Sequence, residues 1–117
     1  MSTPEGRVKD KVRAIFKAHN VHYTHIPANQ FSKGGAPDYV CCVKGVYLAV
    51  EVKTVKGKMS ELQKIERDKT KEAGGFYIVV NEECLKALEE LIKGIHAHIQ
   101  HKDFIHVGPF FSGENYD

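Results

Sequence analysis

At 117 residues the chain has room for one domain and not for two, and 42% hydrophobic with 27% charged residues is an ordinary globular balance, enough to bury a single core. No apolar run approaches the roughly 18 residues of a membrane span, the first residues lack the apolar centre of a signal peptide, and three cysteines, two of them adjacent (Cys41 and Cys42), do not make a disulfide framework. These features exclude membrane-spanning and disulfide-scaffold classes and lead us to expect a soluble protein of a reducing, cytoplasmic compartment, while a net charge of +2 says little about partners.

Residues 4–19 are predicted to be helical. Thr3 can cap the helix, Pro4 suits its first position, and Val8, Val12, Ile15 and Phe16 recur at helical spacing. Asn20 is a plausible left-handed stop. A short strand over 22–26 follows, then a polar, glycine-containing loop through Gly35. Two strands, 39–43 and 46–53, are joined by the hairpin signal Lys44-Gly45. In the second, Val46, Leu48, Val50 and Val52 point one way, and Tyr47, Ala49, Glu51 and Lys53 the other. A loop over 54–59 leads to a helix over 60–73, stopped by Gly74-Gly75.

The compact apolar run 76–80 fits a buried central strand. Asn81 is placed to cap a long helix carrying Leu85, Leu88, Leu91, Ile92, Ile95 and Ile99 on one stripe. The tail 103–117, with Phe104, Ile105, Val107, Phe110 and Phe111, is expected to add a strand or to pack against a partner. The order α-β-β-β-α-β-α describes an α/β domain, a mixed sheet flanked by helices, with a core over about 4–100.

Two acids on neighbouring strands carry the chemistry. With Lys44-Gly45 as a two-residue turn, Val43 faces Val46, and counting outward sets Asp38 opposite Glu51 on the same face. Opposed side chains of this kind have Cβ atoms roughly 4.5–5.5 Å apart. Two carboxylates so close repel each other unless a cation compensates, and an all-oxygen set suits Mg²⁺ or Mn²⁺. Lys53, two residues beyond Glu51, lies on their face, where it can orient a water or offset charge developing on a phosphate. An isolated Glu-x-Lys on a strand is ordinarily a surface pair; Pro37-Asp38 at hairpin-compatible spacing turns the argument toward a site.

Other polar groups divide between function and scaffold. Lys53, Lys56, Lys58, Lys64, Arg67, Lys69 and Lys71 crowd one stretch, either as a phosphate-contacting surface or as a solvated face paired locally with Glu61, Glu66, Asp68 and Glu72. Lys33, in the loop before Asp38, is either a substrate contact or an ordinary loop residue. His19, His22 and His25 are spaced by three, but His22 and His25 fall on opposite faces of a strand and no cysteine pair completes a zinc set. His96, His98 and His101 fall late in the last helix, where they face solvent or favour its C-terminal end. Cys41 and Cys42 occupy alternate faces of a strand as small buried side chains. Ser60-Glu61-Leu62-Gln63 reads as a capping box.

The runs GGAPDYV, YLAVEVKT and GKMSELQ resemble the VRR-NUC branch of the PD-(D/E)XK nuclease superfamily, through Gly35-Ala36-Pro37-Asp38, Glu51-Val52-Lys53 and Gln63. The resemblance covers about residues 4–81. It implies a restriction-endonuclease-like core in which Asp38, Glu51 and the main-chain carbonyl of Val52 bind Mg²⁺ or Mn²⁺, and Lys53 positions or activates water. It adds a glutamate of the first helix, for which Glu5 is the candidate, sharing the inward stripe of Val8 and Val12; favourable placement at the helix N-terminus is the competing reading. It also assigns Gln63 to the site, although a capping contact and a site contact are expected to exclude each other. Stand-alone members of this kind imply a phage or bacterial homodimer cutting branched DNA, such as four-way junctions in recombination or repair, to leave 5′-phosphate and 3′-hydroxyl ends. Lys33, Lys56, Lys58 and Lys64 are the candidate DNA contacts, and the last helix and tail the candidate dimer surface. The rivals are a restriction-type enzyme cutting at a particular duplex sequence and a non-catalytic nucleic-acid-binding module on the same fold.

Overall fold

Thr3 accepts a hydrogen bond from the Gly6 amide (2.9 Å) and starts the first helix, α1 (Pro4–Ala18). Asn20, at φ 55°, turns the chain out of it. The computed structural model describes residues 3–28 and 34–99; the expectations for Lys33, His101 and the tail 103–117 lie outside them. The remaining elements are β1 (His22–His25), β2 (Tyr39–Val43), β3 (Val46–Val52), α2 (Glu61–Glu72), β4 (Phe76–Val80) and α3 (Leu85–Ile99), in the expected order. No helix of the described residues is long and apolar enough to cross a membrane.

The four strands form one mixed sheet in the order β1-β2-β3-β4. β1–β2 and β2–β3 are antiparallel and β3–β4 is parallel. Lys44 (φ 52°) and Gly45 (φ 83°) are both left-handed, as a two-residue hairpin turn of this hand requires. Val43 therefore faces Val46, and Tyr39 faces Val50. One sheet face carries Tyr39, Cys41, Val43, Leu48, Val50, Val52 and Val80, which join Val8, Val12 and Phe16 of α1 and Leu88, Ile92 and Ile95 of α3 in the core. α2 covers the other face: a Cβ on Gly75 would meet both Tyr47 (2.9 Å) and Thr70 of α2 (3.1 Å).

Three local expectations are corrected. β4 is an edge strand among the described residues, not a central one; its apolar run reflects helices on both faces rather than strands on both sides. Asn81 does not cap α3. Its Oδ1 accepts the Glu83 amide (2.8 Å) in a local turn, and the helix begins four residues later, at Leu85. Only Cys41 is buried; Cys42, on the alternate face, is exposed. Burial pushes the Cys41 thiol up to about 12, with a smaller contribution from Cys42, which makes it an inert core residue.

Candidate active site

Asp38 sits one residue before β2, where the hairpin register carries it opposite Glu51 of β3. Its main-chain oxygen accepts the Ile26 amide (2.8 Å) at the end of β1. Its Oδ2 accepts the Val52 amide (2.7 Å), so the carboxylate continues the ladder where the strand has ended. These bonds hold the acid beside Glu51 without help from a ligand. Pro37 before it is buried. Gly35 earns its place by contact: it has φ 101°, and a Cβ there would lie 2.5 Å from the Leu62 carbonyl oxygen. The loop that delivers Asp38 is thus pressed against the first turn of α2.

Glu51 is only 4% exposed. Its Oε2 accepts a hydrogen bond from Gln63 Nε2 (2.9 Å) and faces Lys53 Nζ at 3.4 Å. Its Oε1 is buried and has no hydrogen-bond partner among the described residues. Burial, and then the neighbouring charge of Asp38, push its pKa up to about 7 against the opposing pull of Lys53. A buried carboxylate with one oxygen bonded and one free, next to a second carboxylate, is a donor set that fits a hard divalent cation.

Gln63 overturns the expected conflict between capping and site roles. Its Oε1 accepts the Ser60 amide (2.9 Å), its own amide is bound by Ser60 Oγ (3.1 Å), and its Nε2 still reaches Glu51. The carboxamide has an acceptor end and a donor end, and the capping box uses only the acceptor. A glutamate at this position would keep the cap and lose the donor.

Glu5 lines the same cavity of about 390 Å³ as Asp38, Glu51, Lys53 and Gln63. Its side chain is 45% exposed, however, unlike Val8 and Val12, and its carboxylate faces Lys9 Nζ at 3.3 Å. Lys9, which the sequence reading passed over, also lies 3.4 Å from Asp38 Oδ1. Burial opposes its charge, but Asp38 and Glu5 outweigh that and raise its pKa. The signal for it was present as a Glu-to-Lys step of four residues on a helix, a spacing that ordinarily marks a surface pair. Tyr77 of β4, opposite Ala49, was also missed; its hydroxyl is buried on the α2 side, its pKa raised by burial and then by the charge of Glu51.

The remaining candidates scatter. Lys56 and Lys58 are exposed in the loop after β3. Lys64 faces Glu61 (3.3 Å) and Arg67 faces Asp68 (3.0 Å), local pairs of the solvated-face kind. His19 is hydrogen-bonded to Glu89 of α3 (2.9 Å). Among the described residues no group of three or more His, Cys, Asp or Glu is gathered to hold a metal ion; Asp38 and Glu51 come together as a pair.

An acid at a hairpin end, a second acid opposite it and a lysine two residues on line one cavity of this α/β domain. A solved structure of a VRR_NUC domain is similar to this chain over 84% of its length and over 99% of that domain, with a TM-score of 0.61 and 24% sequence identity. The chain has the VRR_NUC fold. No protein-family model and no curated protein matches the sequence.

Proposed function

We propose that the protein is a divalent-metal-dependent nuclease of the VRR-NUC family that hydrolyses phosphodiester bonds in DNA. The observation that carries the reading is the Asp38–Glu51 pair, fixed by main-chain and Gln63 hydrogen bonds, with Glu51 Oε1 buried and free and Lys53 alongside. Asp38, Glu51 and the main-chain carbonyl of Val52 would hold Mg²⁺ or Mn²⁺. Glu5, at the rim of the same cavity, becomes a further ligand only if its ion pair with Lys9 opens. When bound, such an ion supplies Lewis-acid polarisation of the scissile phosphate.

This chain's own residues do the rest. Lys53 sits against Glu51 and projects into the cavity, where its ammonium group orients the attacking water and offsets charge on the phosphate. Gln63 of α2 donates to Glu51 Oε2 and so fixes the orientation of that carboxylate. Lys33, Lys56, Lys58 and Lys64 are assigned to the DNA backbone. Branched DNA is the proposed substrate and a homodimer the working form: one small domain offers little surface to grip a duplex, and a two-fold pair presents two sites to a symmetric junction.

Cleavage of linear, flapped and four-way DNA with Mg²⁺ or Mn²⁺, beside Asp38→Ala and Lys53→Ala, tests the reading. We expect activity on the branched substrates that is abolished by chelation and reduced at least about a hundredfold in both variants. Cleavage that survives in both, or that ignores chelation, refutes the assignment. Preference for one duplex sequence over structure would favour the restriction-type alternative.

A further inference from the structure

Every carboxylate of the cavity already faces an ammonium group. Lys53 Nζ is 3.4 Å from Glu51 Oε2, while Lys9 Nζ stands 3.3 Å from Glu5 Oε2 and 3.4 Å from Asp38 Oδ1. Lys9 is therefore bound at two points, by acids from two different elements, α1 and the start of β2. Its side chain is 23% exposed, against 45% for Glu5, so the lysine is the more enclosed member of that pair.

The two ends of the site differ in what they leave open. At the Glu51 end, Oε1 is buried without a partner. At the Glu5 end, the space between the two carboxylates holds the Lys9 ammonium. A carboxylate oxygen has lone pairs enough to face both a lysine and one cation, so Asp38 Oδ1 can serve an ion on its Glu51 side while it keeps Lys9. A second divalent ion bridging Glu5 and Asp38 has no such option, because it would need the volume and the charge position that Lys9 occupies. Charge points the same way. Three carboxylates and two ammonium groups leave one net negative charge; one divalent ion inverts it mildly, and a second would leave three more positive charges than the acids can balance in one half-buried cleft.

We propose that Lys9 is the resident second cation of this site: held between Glu5 and Asp38, it takes the place of a second divalent ion, so that the protein works with one. The proposal rests on the reading that Asp38 and Glu51 hold a divalent ion. It makes Lys9 a positioning residue that also ties the first turn of α1 to the start of β2, and it assigns Glu5 to Lys9 rather than to the metal.

The test counts Mn²⁺ bound to the full chain without nucleic acid, from the loss of the free-ion electron paramagnetic resonance signal, with circular dichroism confirming that each variant folds. We expect one ion per chain in the wild-type protein, two in Lys9→Met, and one in Lys9→Arg, which restores the charge. Lys9→Gln serves as a second neutral variant, expected to match Lys9→Met, and it decides the matter if the methionine variant does not fold. Two ions in the wild-type protein, or one in the neutral variants, overturns the role of Lys9 and leaves the Asp38–Glu51 ion standing. No ion in the wild-type protein overturns the metal reading itself, and this proposal with it.

Discussion

Glu51 carries a pH-dependent cost that can be measured without any substrate. Replacing it with glutamine keeps the shape and the hydrogen bond from Gln63 but removes the titration. In the folded, metal-free protein its pKa stands at about 7 against an ordinary value of 4.5, an interval worth about 3 kcal/mol at roughly 1.4 kcal/mol per unit. The sign follows from proton binding. Between those two values the folded state holds a proton that the unfolded state has released, so stability is full below the unfolded value and is lost as pH rises through the folded one.

The groups that set this shift come from every side: Asp38 before β2 raises it, Lys53 on the same strand lowers it, and Gln63 of α2 donates to the carboxylate. Asp38 and Lys53 are also present in Glu51→Gln, so the difference between the two proteins isolates residue 51. Urea unfolding in a chelator at about pH 5 and about pH 8.5 should show the wild-type protein losing about 2.5 kcal/mol more than Glu51→Gln over that range, the rest of the loss falling below pH 5. Divalent metal, which favours the ionised carboxylate, should return about 2.7 kcal/mol at a hundredfold excess over its dissociation constant in the wild-type protein only. Parallel pH profiles for the two proteins would refute the buried-acid account of Glu51.

Three further outcomes are expected. Gln63→Glu preserves the capping box but sets an acid against Glu51 Oε2, so urea melts at about pH 8.5 in chelator should show a loss of about 1–2 kcal/mol that shrinks at pH 5; an equal loss at both pH values would mean the cap alone is at stake. Gly35→Ala must strain both φ and the contact with the Leu62 carbonyl, whereas Gly74→Ala (φ 93°) meets nothing within 4 Å. Thermal melts should therefore rank Gly35→Ala clearly below Gly74→Ala, for which about 1 kcal/mol is expected. Tyr39→Phe removes the acceptor of the Arg13 hydrogen bond (2.7 Å), but Arg13 keeps its pairing with Asp10, so chemical unfolding should report a loss near about 1 kcal/mol rather than that of a stranded charge.

The acid pair and its lysine were legible because they depend on short-range geometry alone. A two-residue turn at Lys44-Gly45 fixes the register, and the alternation of a strand fixes the faces, so the chain itself dictates that Asp38 opposes Glu51 and Lys53 follows. The helices were readable for a similar reason, since caps and stripes such as Thr3 and Val8–Val12–Phe16 are local statements. What lay beyond reach depended on which elements meet. That β4 lies at the sheet edge among the described residues is decided by which strands pair, and an apolar run covered by α2 and α3 looks the same in either place. That Gln63 both caps α2 and grips Glu51 is decided by the Gly35 loop seating α2 against the site. Lys9 reads in one dimension as half of a surface ion pair, and becomes part of the site only because α1 packs across the sheet and brings it to Asp38.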